Sequence, residues 1–133
     1  MGPEDVAQLG RRFFEEVWNQ RRDDTLRELM DPKIHGFMEG LEVRSVEDFE
    51  NARRELLAAF PDMKVTVEDV VAQDENVVVR WNVKATHTGA AMDLAPTNRN
   101  VSFRGMTWMV FRGGKMIAGW DAWNQGALLQ SLR

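Results

Sequence analysis

The feature that most constrains this chain is the alternation between Val77 and His87. Val77, Val79, Trp81, Val83, Ala85 and His87 fall on one side, and Arg80, Asn82, Lys84 and Thr86 on the other. Only an extended backbone turns successive side chains to opposite faces, so Asn76 to Thr88 is expected to be a long strand with one buried face. Its neighbours read the same way. Met63 to Ala72 sets Val65 and Val67 against Thr66 and Glu68, Val101 to Arg112 gives a third strand, and Met116 to Trp123 gives a fourth. Gly113-Gly114 marks a tight hairpin between the last two. A stretch of turn formers from Gly89 to Arg99, including Pro96, separates the second from the third.

The first half of the chain has a different period. Pro3-Glu4-Asp5 suits a helix start, with proline in the first turn and acids near the positive end of the dipole. Val6, Leu9, Phe13, Phe14, Val17 and Trp18 then recur every three or four residues, which makes one apolar stripe. Asp23 or Asp24 can cap a short second helix, stopped at Asp31-Pro32 because the residue before proline avoids the helical region. Ser45 is the expected cap of the strongest helix, with Glu47 and Asp48 in its first turn and Val46, Phe49, Ala52, Leu56, Leu57 and Phe60 inward. Pro61 ends it. Lys33 to Arg44 has neither period and reads as a loop with a short strand. Gln125 to Leu132 closes the chain as a short helix.

Helices followed by long antiparallel strands define an α+β fold. A curved sheet wrapped on helices leaves space between them, so a pocket is expected. The 133 residues make one domain, residues 1–133, and bury roughly two-thirds of the unfolded surface. A hydrophobic content of 44% with 29% charged residues argues against disorder. The net charge of −4, with Lys and Arg dispersed, makes a nucleic-acid partner unexpected. No apolar run has a membrane span's length and no secretory signal follows Met1, so the chain is expected to be cytoplasmic and free of membranes. Cysteine is absent, which removes thiolate nucleophiles and Cys-ligated zinc. With two histidines and no His-x-x-x-His spacing, no metal is expected. Five Trp and eight Met supply adaptable apolar walls, or simply core.

Several segments together carry a family likeness. They are Ala59-Phe60-Pro61-Asp62-Met63, Ala85-Thr86-His87-Thr88-Gly89, Ala95-Pro96-Thr97-Asn98-Arg99, Phe103-Arg104-Gly105, Gly114-Lys115-Met116-Ile117, Trp120-Asp121-Ala122-Trp123 and the closing Ala127 to Leu132. In this combination the chain resembles the SnoaL-like polyketide cyclases. The resemblance implies the cone-shaped fold of nuclear transport factor 2 (NTF2-like, also called cystatin-like), with N-terminal helices on a curved mixed or antiparallel sheet enclosing a pocket. It also implies aldol ring closure of aromatic polyketides by one aspartate, without cofactor or metal; other members are hydroxylases. Many relatives carry Asp where this chain has Asn124. The usual Gly of the Pro-Thr-Gly-Arg turn is Asn98, which also tolerates positive φ.

Among residues able to do chemistry, Asp121 stands between Trp120 and Trp123. Indole walls solvate a carboxylate poorly, so an inward Asp121 should have a raised pKa and suit general acid/base work. The alternative is that Trp120 points in and Asp121 points to water. His87, at a strand end on the apolar face, and His35, in the irregular segment, are further catalytic candidates; a satisfied core histidine is the plainer reading of His87. Thr107 and Arg104 lie on opposite faces by parity unless Gly105 marks a bulge, and are candidate substrate contacts, as are Asn124, Trp120, Phe37 and Trp108. Three functions follow: a cofactor-independent enzyme for an apolar, polycyclic aromatic or other cyclic carbonyl compound; a binding protein for such a ligand; and an assembly module. A homodimer through the sheet is expected, although Arg80, Asn82 and Lys84 on the outer face argue against a large dry interface.

Overall fold

The computed structural model describes residues 3–90 and 93–133, so part of the turn-forming stretch expected from Gly89 to Arg99 lies outside the described residues. Helix α1 (Pro3–Arg12) passes directly into a π-helical segment, Phe13–Asn19. Then come α2 (Asp23–Leu29), strands β1 (Met30–Met38) and β2 (Leu41–Val43), α3 (Val46–Ala59), and strands β3 (Lys64–Gln73), β4 (Asn76–Thr86), β5 (Asn100–Arg112) and β6 (Lys115–Trp123). Helix α4 (Gln125–Ser131) ends the chain. The strands form one open six-stranded sheet in the order β2-β1-β6-β5-β4-β3.

The β3–β6 meander was expected and is observed within two residues at each end. Strand β4 buries Val77, Val79, Trp81, Val83 and Ala85 and shows Arg80 and Lys84 to solvent, as its alternation requires. Gly113 and Gly114 both adopt positive φ (60° and 82°), the geometry a two-residue hairpin turn demands. Register shifts between Val67 and Asp69 and between Val110 and Phe111 bend the sheet over the helices.

The irregular segment is where expectation and structure part. Met30–Met38 is a nine-residue strand lying parallel to β6, so the sheet is mixed rather than purely antiparallel. Pro32 and a register shift between Met30 and His35 interrupt the alternation that would have announced it. Gly36 lets it fit: a Cβ there would stand 2.0 Å from the carbonyl oxygen of Gly119, its partner on β6. Without a side chain the two backbones can meet, which lets β1 join the sheet beside β6.

The first helix also departs from simple α geometry. In the π segment the wider turn lines up residues four apart, Phe13 with Val17 and Phe14 with Trp18, and all four are buried. Helix α3 begins as the sequence predicts, with Ser45 Oγ accepting from the Asp48 N–H at 3.1 Å. The core lies between these helices and the inner sheet face, around Leu26, Leu29, Phe60, Met109 and Phe111.

Candidate active site

Asp121 lies on β6 directly opposite Thr107 on β5. Both belong to the inner face, because Thr107 shares parity with buried Met109 and Phe111. Trp120 takes the outer face, 42% exposed, which decides between the two orientations left open above. The Thr107 hydroxyl donates to Asp121 Oδ1 at 2.7 Å, and the Trp81 indole N–H donates to Thr107 Oγ1 at 2.9 Å. An indole nitrogen can only donate, so the threonine oxygen is held as its acceptor and its single proton is left for the carboxylate. Oδ2 makes no hydrogen bond among the described residues. Burial raises the Asp121 pKa from 3.8 to about 6; the Thr107 hydrogen bond opposes the rise, and the negative charge of Glu39 adds to it.

Asp121 forms part of the wall of a cavity of about 340 Å³ between the inner sheet face and the helices. This is within the range of small-molecule sites. Most of the wall is apolar, with Phe13, Phe14 and Trp18 from the first helix facing Trp81, Phe103 and Trp123 from the sheet. Phe103 and Trp123 stack at 4.8 Å with an interplanar angle of 24°. The polar lining consists of Thr107, Asp121, Glu39, Glu55 and Gln125; among the described residues no Lys, Arg or His takes part. No group of three His, Asp or Glu able to hold a metal occurs among the described residues.

The structure gathers only part of the site anticipated from sequence. Asp121 and Thr107 come together, and Phe37 borders the cavity at its rim. Asn124 does not line it: its side chain accepts from the Ala127 N–H at 2.9 Å and caps α4. Arg104 pairs in register with Asn82 on the exposed outer face, so Gly105 does not turn it inward. Trp108 and Trp120 meet edge to face at 6.0 Å, also outside. His35 is exposed, its Nε2 2.8 Å from Glu42 Oε2. His87 is fully buried but outside the cavity wall, against Phe60 at 5.4 Å. Its Nδ1 accepts from the Thr97 N–H at 3.3 Å, and its Nε2 is buried without a partner among the described residues. Both histidines are thus kept away from Asp121.

Sequence reasoning missed Trp81 as the donor to Thr107, and Glu39, Glu55 and Gln125 as polar lining. Trp81 was legible as an inward residue, but nothing local showed that its N–H would reach a threonine 26 positions away. Glu39 sits in the β1–β2 turn, in a segment expected to be a loop with a single short strand.

An open mixed sheet curled over helices, with one deep carboxylate in an apolar cavity, defines a pocket-bearing protein of the NTF2-like fold. The chain belongs to the SnoaL-like polyketide cyclase family, whose profile matches residues 8–132. AclR from Streptomyces galilaeus, named as a candidate hydroxylase, is 28% identical; the alignment covers 98% of this chain and 96% of that one, with a TM-score of 0.86. IdmH from Streptomyces antibioticus, named as a candidate polyketide cyclase, is 25% identical, covering 96% and 97% with a TM-score of 0.82. A SnoaL-like candidate polyketide cyclase from Jannaschia sp. CCS1 shares the fold at 23% identity, covering 98% and 92% with a TM-score of 0.89. No curated protein matches the chain in sequence. No helix among the described residues is long and apolar enough to cross a membrane.

Proposed function

We propose that this protein catalyses cofactor-independent acid/base chemistry on an apolar cyclic carbonyl compound, either aldol ring closure or isomerisation, with Asp121 as the proton-transferring group. One observation carries the reading: a carboxylate in the wall of an apolar cavity, with a pKa near 6, one oxygen fixed by Thr107 and the other without a partner. A group with this pKa is ionised at neutral pH yet basic enough to take a carbon-bound proton. In the aldol case Asp121 Oδ2 removes the proton α to a carbonyl. The resulting enolate carbon forms a bond to a second carbonyl carbon of the same molecule, and the protonated Asp121 returns its proton to the new alkoxide. A donor for the developing oxyanion is needed. His35, His87 and Asn124 lie outside the cavity, and Gln125 in its wall takes that part.

The reading as a binding protein without chemistry rested on Asn124. That residue caps a helix outside the cavity, and the cavity keeps its carboxylate.

The test is deuterium exchange α to the carbonyl of polycyclic ketones in heavy water, read by mass spectrometry, with the natural protein and Asp121→Asn. Exchange catalysed by the first and not the second supports the proposal; no exchange with any ketone, or equal exchange by both, rejects it. Product mass separates the reaction classes represented among relatives. Isomerisation and aldol closure conserve mass, whereas hydroxylation adds oxygen.

We also propose that two copies pair through the outer face of the sheet. Val71, Val78, Trp108, Trp120 and Phe37 stand in one register row across β3, β4, β5, β6 and β1. Val71, Trp108, Trp120 and Phe37 are between 42% and 67% exposed. A continuous apolar row of this width on a soluble protein marks an interaction surface, and a self-complementary stripe suits a two-fold contact.

A further inference from the structure

We infer that the ligand of this cavity carries a protonated amine, held at the mouth by Glu39 and Glu55 against the aromatic wall. The inference rests on reading the cavity as a ligand site and adds the charge class of what enters it.

Several carboxylates elsewhere in the fold are held by arginines. Glu16 and Glu28 are met by Arg12, Asp24 by Arg22, Glu42 by Arg44, Glu50 by Arg27, Glu68 by Arg80 and Glu75 by Arg112. The carboxylates around the cavity, like Glu47 and Asp74 elsewhere on the surface, have no such cation among the described residues. Glu39 is exposed in the β1–β2 turn and accepts only a long contact from the Trp123 N–H, at 3.5 Å. Glu55, exposed on α3, has no ion pair or side-chain hydrogen bond among the described residues. Being both exposed and part of the lining, the two stand at the mouth. Asp121, deeper in, leaves Oδ2 without a partner. Every charged side chain that lines the cavity among the described residues is therefore acidic.

The rest of the wall points the same way. Trp18, Trp81, Phe103 and Trp123 are part of the lining. Aromatic faces attract cations, most strongly where water is excluded. An anionic ligand would meet two exposed carboxylates at the mouth and a third in the wall, with no cation in the lining to compensate. A neutral ketone would enter but leave the mouth carboxylates unused. An ammonium group on an otherwise apolar ring system satisfies both parts of the site.

The test uses three versions of one tricyclic aromatic ketone: the parent, its aminomethyl derivative and its carboxymethyl derivative. Trp18, Trp81 and Trp123 lie in the wall, so binding is read by tryptophan fluorescence without requiring turnover. The aminomethyl compound is expected to bind about tenfold tighter than the parent, and the carboxymethyl compound more weakly than either. Glu39→Gln and Glu55→Gln, both at exposed positions, are each expected to cut the amine's advantage about threefold, and added salt should shrink it as well. Equal binding of all three compounds, tighter binding of the carboxylate, or an advantage untouched by both variants would overturn the inference while leaving the cavity a ligand site. Binding of none would remove the ligand site and this inference with it.

Discussion

Thr107 gives its one hydroxyl proton to Asp121 across the β5–β6 pairing, because the Trp81 N–H already occupies the acceptor side of the same oxygen. The Asp121 carboxylate is thereby made two-sided. Oδ1 is fixed as an acceptor, and Oδ2 is the oxygen left for exchange with a ligand.

Thr107→Val keeps the shape and removes the donor. The charged form of Asp121 loses its stabilising hydrogen bond, so its pKa should climb by roughly one unit above its present value of about 6. In the proposed chemistry the carboxylate is the active base, so the acid limb of the rate profile should move to higher pH by the same amount. Trp81 would lose its acceptor, and stability should fall by about 1–3 kcal/mol. Thr107→Ser should restore the profile. A limb that stays in place in the valine variant would show that Thr107 does not set the pKa.

Asp121→Asn should abolish proton transfer yet improve stability at neutral pH. The folded state holds the Asp121 proton more tightly than the unfolded chain, with a pKa of about 6 against 3.8. The favourable contribution of the protonated form is complete below about 3.8 and is lost as pH rises through about 6. The accumulated cost at pH 7 is about 3 kcal/mol by linkage. Asparagine carries no such cost. Urea unfolding of both proteins across this range should show the variant gaining on the natural protein between pH 4 and 7 and running parallel above that. Parallel curves throughout would mean that Asp121 titrates normally.

Gly36→Ala tests the pairing of β1 with β6. The new methyl carbon would overlap the Gly119 carbonyl oxygen at 2.0 Å, a backbone atom with little freedom to retreat. Strand β1 would have to move away from β6, taking the β1–β2 turn and Glu39 with it. A loss of 2 kcal/mol or more in chemical denaturation is expected, on the scale of core overpacking. Ligand binding should weaken in the same variant, measured under conditions where it remains folded.

Much of this was legible in the sequence because period-2 burial on a half-buried strand is a local signal. Strands β3 to β6 needed no partner to be recognised, and Asn98, predicted to tolerate positive φ, has φ of 57°. What failed was non-local. Strand β1 is recognisable only through its parallel partner β6 and through one glycine pair. His87 does face inward, as its parity required, but parity fixes the face and not the distance along the strand, and His87 falls beyond the end of the cavity. For Asp121 the sequence left both orientations open. The register with Thr107, set by a hairpin whose turn lies at Gly113 and Gly114, decided between them. The π-helical turn had no signature beyond four buried residues that also fit an α-helix.

The outer row offers the last prediction. Trp108 and Trp120 touch each other at 6.0 Å and remain 51% and 42% exposed, while Val78 and Phe37 extend the row on either side. Side chains of this size leave water most readily against a flat, matching surface, and an aromatic pair at the centre of a contact is where binding energy concentrates. The polar residues that argue against a large dry interface lie on this same face beside the row: Arg80, Asn82 and Lys84 follow Val78 along β4, paired with Met106, Arg104 and Ser102. Light scattering on eluting protein at micromolar concentration should therefore give twice the monomer mass. Trp108→Glu with Trp120→Glu should give the monomer, since two buried like charges would oppose their counterparts across the two-fold axis. Both substitutions lie outside the cavity, so ligand binding by the resulting monomer should persist. A natural protein that elutes as a monomer would remove the dimer and leave the Asp121 chemistry standing.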